Sequence, residues 1–160
     1  MPDTTHAETL NRQSLFAFPS YFASLPPPEM AALTGVWRAE FVGPGWLRRI
    51  APPGLALLGL GGWWGKEFTS PGKASNIVER DGSLLRVLPM LVKEAVSLVD
   101  GQRGVAISYP SGSPFPWPWV VDEVRRLDET TLLALTLTTP RWLPRLPMPF
   151  LLHRQEQSKI

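Results

Sequence analysis

The spacing of apolar and polar positions changes character along the chain. From residue 63 onwards, strand-like runs recur at intervals of roughly 8 to 12 residues with turn formers between them, the rhythm of an antiparallel meander. Alternation predicts strands over 63–69, 74–80, 84–90, 92–99, 103–109, 119–127, 130–138 and 148–155, and one more upstream over 34–42. Asp81-Gly82 and Asp100-Gly101 supply the positive backbone angles that tight hairpins need, and Asp128-Glu129 is a third turn. Pro89 cannot donate to a ladder, so it marks a bulge or corner.

Ahead of residue 63 the pattern is mixed. Residues 1–8 carry no apolar cluster to bury and are expected to be disordered. Leu10, Leu15, Phe16, Phe18 and Phe22, interrupted by Pro19, predict one or two short helical turns over a barrel mouth or against its wall. Leu25 to Leu33 reads as a proline-initiated helical turn that ends before Gly35. Between 46 and 62, Pro52-Pro53-Gly54 separates a basic half, Leu47-Arg48-Arg49-Ile50, from an apolar half, Leu55 to Leu60. The apolar half predicts a short helix that plugs one end of a barrel or a flap over its mouth. Rigid proline-rich loops carrying aromatics follow at 110–118 and 140–149. Residues 9–160 thus read as one mainly β domain, an antiparallel barrel of about 8–10 strands with short N-terminal helices and an inserted helix or flap after the first strand.

Composition narrows the function classes. Without cysteine there is no disulfide or thiolate site, and with two histidines no zinc cage is expected; no metal or cofactor is predicted. The opening Pro-Asp-Thr-Thr-His-Ala-Glu-Thr lacks the basic and apolar regions of a secretory signal. The longest apolar run, Gly54 to Trp64, is too short and glycine-rich to span a bilayer, so the expectation is a soluble protein, cytoplasmic by default. Net charge is only +2, and the basic residues cluster no further than Arg48-Arg49 and Arg125-Arg126, which argues against a nucleic-acid partner. Seven tryptophans and eighteen prolines imply many turns and a large aromatic lining. A homodimer is compatible with the sequence.

Gly35-x-Trp37 on the first strand, preceded by a helical turn, with Arg154 on the last strand, resembles the lipocalin and wider calycin pattern. Gly35-Val-Trp37-Arg38, Trp64-Gly65-Lys66-x-Phe68 and Asp122-Glu123-Val-Arg125 further resemble the bacterial GxWxG-type domains of unknown function, over about residues 28 to 155. Ala39 stands where the second glycine of that motif is expected. The resemblance implies a lipocalin-like barrel with an apolar interior, closed at one end by the tryptophan with the arginine lying across it. Gly35, Trp37 and Arg154 are accordingly assigned structural roles.

The candidate site residues sit on the later strands. Lys66 shares a face with Trp64 and Phe68 at two-residue spacing, a cation among aromatics on the inner wall or, alternatively, a lysine reaching outwards from an exterior stripe. In the run from Asp122 to Arg126, Asp122 and Arg126 share one face and Glu123 and Arg125 the other. An internal member must be paired. Lys66, Asp122 and Arg125 are the catalytic candidates; Trp64, Phe68, Tyr109, Trp117, Trp119 and His153 are the ligand-binding candidates. They point to a barrel that holds a polyketide-, terpenoid- or lipid-like molecule, or to a cofactor-independent cyclase or isomerase acting on such a guest. A domain with a filled core is the third option. In a catalytic site, burial would lower the pKa of Lys66 and let it polarise a carbonyl or an enolate.

Overall fold

The computed structural model describes residues 4–143 and 147–156. Among these, eight strands follow one another round a closed antiparallel barrel: β1 (Gly35–Phe41), β2 (Trp63–Ser70), β3 (Lys73–Arg80), β4 (Ser83–Val96), β5 (Arg103–Ser108), β6 (Val120–Arg126), β7 (Thr131–Thr138) and β8 (Met148–Arg154). Closure comes from β8 pairing with β1, Trp37 opposite Arg154 and Phe41 opposite Phe150. The mainly β antiparallel barrel expected from the alternation is therefore present. One count differs, because the runs 84–90 and 92–99 form a single strand, β4. Ser75 lies opposite Pro89 while Asn76 lies opposite Val87, leaving Leu88 as an extra residue at φ +53°. A bulge tolerates the missing donor of Pro89 and bends the strand without ending it.

Residues 4–8, expected to be disordered, belong to helix α1 (Thr4–Asn11); residues 1–3 lie outside the described residues. Ala7 and Leu10 are three apart, hence on one helix face, and both are buried. With Phe18 and Phe22 of helix α2 (Phe18–Ala23) they pack on Ala106, Val121, Leu133, Leu135, Leu137 and Leu151, the outer faces of β5 to β8. This makes β7 buried on both sides. Its Leu132-Leu133-Ala134-Leu135 is consequently apolar without alternation.

The insertion after β1 is one helix, α3 (Gly45–Leu57), which runs through Pro52 and Pro53 where two halves were expected. The prolines leave the carbonyls of Arg48 and Arg49 without helical donors, but all four residues lie on the exposed side, where water serves instead. Ala51 and Leu55 face inwards. The 140–149 loop is described only outside 144–146.

At the opposite end the barrel is shut. Gly35 turns the chain into β1 at φ +77°, a left-handed conformation that favours glycine. Trp37 is buried, donates its indole N–H to the Thr34 carbonyl at 3.0 Å, and meets Phe68 edge-to-face. The Arg154 guanidinium lies 4.8 Å over the indole and donates to the Ala32 carbonyl at 2.9 Å. A Cβ on Gly65 would overlap the Trp37 carbonyl oxygen, so β1 and β2 depend on a glycine there.

We expect Trp37→Ala to lose roughly 3–5 kcal/mol, the cost of truncating a large buried aromatic. Urea denaturation measures it, and a variant as stable as the parent would contradict the assignment of this residue to the barrel's end wall.

Candidate functional site: a buried ion pair in the barrel lumen

Inward-facing positions of four strands and the residue following β5 bring five polar side chains together inside an otherwise apolar barrel. Lys66 on β2 and Asp122 on β6 meet at 2.9 Å (Nζ to Oδ2), with side chains 1% and 4% exposed. Lys66 Nζ also donates to Asn76 Oδ1 on β3 at 3.0 Å and lies 3.3 Å from Met90 Sδ. Asn76 Nδ2 donates to the Leu88 carbonyl and to the hydroxyl of Tyr109, each at 3.2 Å, while its Oδ1 also accepts the Trp63 indole N–H at 3.1 Å. Thr136 on β7 donates to Asp122 Oδ1 at 2.7 Å. The ammonium is within 6 Å of two ring centroids, Trp63 at 5.5 Å and Phe150 at 5.8 Å. Among the described residues, no buried side-chain nitrogen or oxygen lacks a hydrogen-bond partner.

The electrostatics differ from the expected lowering of the Lys66 pKa. Complete burial does pull it down, but the charge and hydrogen bond of Asp122, with a smaller contribution from Tyr109, outweigh that and leave the lysine above its ordinary value. Burial also raises the Tyr109 phenol. At neutral pH the chamber holds a lysine cation beside a neutral phenol. Such a cation cannot act as a base or nucleophile, but it can polarise a carbonyl.

Little room remains around the cluster. The cavity is about 20 Å³, bounded by Leu55 and Leu60 from the α3 segment, by Trp117, Tyr109 and Phe150, and by the polar groups above. One water needs roughly 10–15 Å³, so the space left fits a water and no larger guest. The α3 segment is tied down by Trp117, whose indole N–H donates to the Leu58 carbonyl at 2.9 Å.

Of the residues singled out by sequence, Lys66, Asp122, Tyr109 and Trp117 converge here. Phe68 also faces inwards, but towards Trp37 at the shut end. Trp64 does not join them. The ladder steps from Trp63 opposite Val78 to Gly65 opposite Ile77, so Trp64 is the extra residue of a bulge and Trp63 takes the inner position. Trp119 stacks between Phe115 and Trp142 at the rim, not in the lumen. His153 is on the outer face of β8, with Nε2 2.8 Å from Glu40 Oε1. Arg125 is likewise outside, beneath α2: it donates to the Phe22 and Leu25 carbonyls and to both oxygens of Asp100, and covers the Phe22 ring at 4.6 Å. Neighbouring Glu123 accepts from Ser97 Oγ and the Leu98 amide, again on the outer face. Asn76, Trp63 and Thr136 went unseen in the sequence. Asn76 alone carried a signal, an amide flanked at two-residue spacing by the inward Ala74 and Val78.

The barrel is similar to the crystal structure of a protein from Thermomonospora curvata, with a TM-score of 0.69 and 18% sequence identity over 96% of this chain and 95% of that one. At that identity the likeness concerns the fold alone. No family model matches the sequence, and no curated protein matches it. The architecture is consistent with a lipocalin-like barrel. Among the described residues, no helix is long and apolar enough to cross a membrane.

Either partner of the central pair, removed alone, strands a buried charge. Lys66→Met and Asp122→Leu should each cost about 3–5 kcal/mol, and the double variant far less than their sum. Additive losses in urea denaturation would show two independent side chains. The outer ion pair has a different signature in acid. The hydrogen bonds from Arg125 hold the Asp100 carboxyl below its ordinary 3.8 despite its partial burial. A lowered folded-state pKa gives stability that is present above 3.8 and lost as pH falls through the lower value. The stability gap between the parent and Asp100→Asn should therefore close in that acid range, and a gap independent of pH would count against the pair.

Proposed function

We propose that the barrel binds a small hydrophobic molecule bearing one carbonyl or hydroxyl group, of polyketide, terpenoid or lipid type, in the cytoplasm. The observation that carries this is the Lys66–Asp122–Asn76–Tyr109 cluster directly beneath the α3 segment. A buried ion pair gives a core little stability that apolar residues would not match. Its value lies in the directed polar contacts it offers inside an aromatic chamber. In the closed state, Leu55 and Leu60 occupy the space a guest needs. Entry requires α3 to swing aside, and Pro52 and Pro53, which remove two helical hydrogen bonds, make this helix easier to deform than an uninterrupted one.

A second reading is a cofactor-independent cyclase or isomerase acting on the same guest. It is favoured by Lys66 being held as a cation in a water-poor chamber, where a fixed positive charge stabilises a developing enolate.

An acyl-dimethylaminonaphthalene dye, apolar with a single carbonyl, tests the binding. Its emission should shift to the blue on titration with the protein. Burial of a leucine is worth roughly 1.5–3 kcal/mol, and each 1.4 kcal/mol is tenfold in affinity, so Leu60→Ala should weaken the lid and tighten the dye by about tenfold or more. Absence of binding by both proteins would overturn the proposal. Equal binding by Lys66→Met/Asp122→Leu would leave shape alone as the source of recognition.

A further inference from the structure

The end of the barrel that carries α3 is poor in acidic groups. The connections at the open end are α3 between β1 and β2, the hairpin between β3 and β4, the loop between β5 and β6, and the loop between β7 and β8. Residues 41–66, 101–121 and 130–155, which contain three of these four connections, include no aspartate or glutamate. They do present Arg48, Arg49 and Arg141. The hairpin adds Glu79, Arg80 and Asp81, so the open end as a whole remains basic.

The same open end exposes large apolar side chains. At about 100° per residue, Trp46, Ile50, Pro53 and Leu57 of α3 fall within an arc of about 60°, opposite to the buried Ala51 and Leu55. Leu57 is 89% exposed. Arg49 flanks this stripe and has no ion-pair partner among the described residues. The loop that Trp117 ties to the Leu58 carbonyl at the end of the helix carries Phe115 (75% exposed) and Trp119, which form with Trp142 (72% exposed) a rim of edge-to-face rings. A solvent-facing apolar helix stripe bordered by arginine, next to a tryptophan-bearing rim and without nearby acidic groups on the same segments, has the chemistry of an interfacial helix on an anionic bilayer.

We propose that the open end of the barrel docks on an anionic membrane surface, with α3 lying in the headgroup layer, Trp46, Ile50 and Leu57 inserted, and Phe115 and Trp142 anchoring beside them. The partner is a lipid surface, because both halves of its chemistry are matched: the arginines meet anionic headgroups and the apolar stripe meets the acyl boundary. Docking holds whether or not the lumen takes a guest. With a guest, it would put the lid where hydrophobic molecules partition.

Co-flotation of the full chain with vesicles tests this. The protein should float with phosphatidylcholine–phosphatidylglycerol vesicles, fail to float with phosphatidylcholine alone, and be released by salt. Arg49→Gln and Arg141→Gln should each weaken binding about fivefold, the share of one basic residue near an anionic surface. Trp46→Ser with Leu57→Ser should abolish flotation while the circular dichroism of the barrel is unchanged, and Trp142→Ser provides an independent variant in the rim. Failure of the parent to float, equal flotation with neutral vesicles, or flotation indifferent to all these substitutions would overturn the proposal. So would a parent dimer that ignores vesicles and dissociates on Trp46→Ser/Leu57→Ser, which would assign the face to a second copy of the chain. Dye binding in the lumen is measured without vesicles, so either result stands without the other.

Discussion

Lys66 and Asp122 must stay together, and much of the interior is arranged so that they do. Complete burial works against the charge of a lysine. Here the carboxylate holds the ammonium charged, Asn76 accepts a hydrogen bond from it, and Thr136 donates to the other carboxylate oxygen. Asn76 in turn fixes the Tyr109 hydroxyl and the Trp63 indole. These contacts join β2, β3, β6 and β7, together with the residue following β5, across the lumen. They form one hydrogen-bonded unit in which loss of any member leaves another unpaired at low dielectric.

Two bulges give that unit its geometry. The one at Leu88 lets Asn76 reach the Leu88 carbonyl from β3, since a bulged residue leaves its ladder and frees its polar groups. The other, at Trp64, rotates the start of β2 by one residue and turns Trp63 towards Lys66. Both shifts break the two-residue period on which inward and outward assignments rest. This is why Lys66, Asp122 and Tyr109 were legible in the sequence while Trp63 was not. Downstream of Gly65 the alternation is regular and Lys66 and Phe68 share one face as expected; the structure makes it the inner one. Upstream it is not, and the wrong tryptophan was assigned to the lumen.

Arg125 and His153 were misplaced for another reason. Periodicity says which residues share a face but not which face is inside when both are buried. On β6 the outer face is covered by α2, so Glu123 and Arg125 are as buried as Asp122. The distinguishing information lay in the N-terminal segment, whose Leu10, Phe18 and Phe22 need an apolar wall to pack on. The sequence left this segment over the mouth or against the wall, and only the second placement puts Arg125 beneath it. The closed end was easier to read because Gly35, Trp37 and Arg154 act through single, strongly shaped contacts that survive any error of register elsewhere.

The lid links the interior to the surface. Helix α3 has two apolar faces, one with Ala51 and Leu55 on the barrel and one with Trp46, Ile50 and Leu57 towards solvent, and Arg48 and Arg49 are its only charged residues. A helix covering a protein core needs only the first face; solvating the second has a cost that packing on the barrel does not recover. An environment that receives the outer face lowers the free energy of α3 where it contacts that environment. If the helix turns there, its hold on the lumen weakens, because Leu55 and the Leu58 carbonyl, which bind it to the chamber and to Trp117, lie on the inner face and the last turn. Two competing apolar surfaces on one proline-interrupted helix would tie the proposed opening of the chamber to what lies outside it.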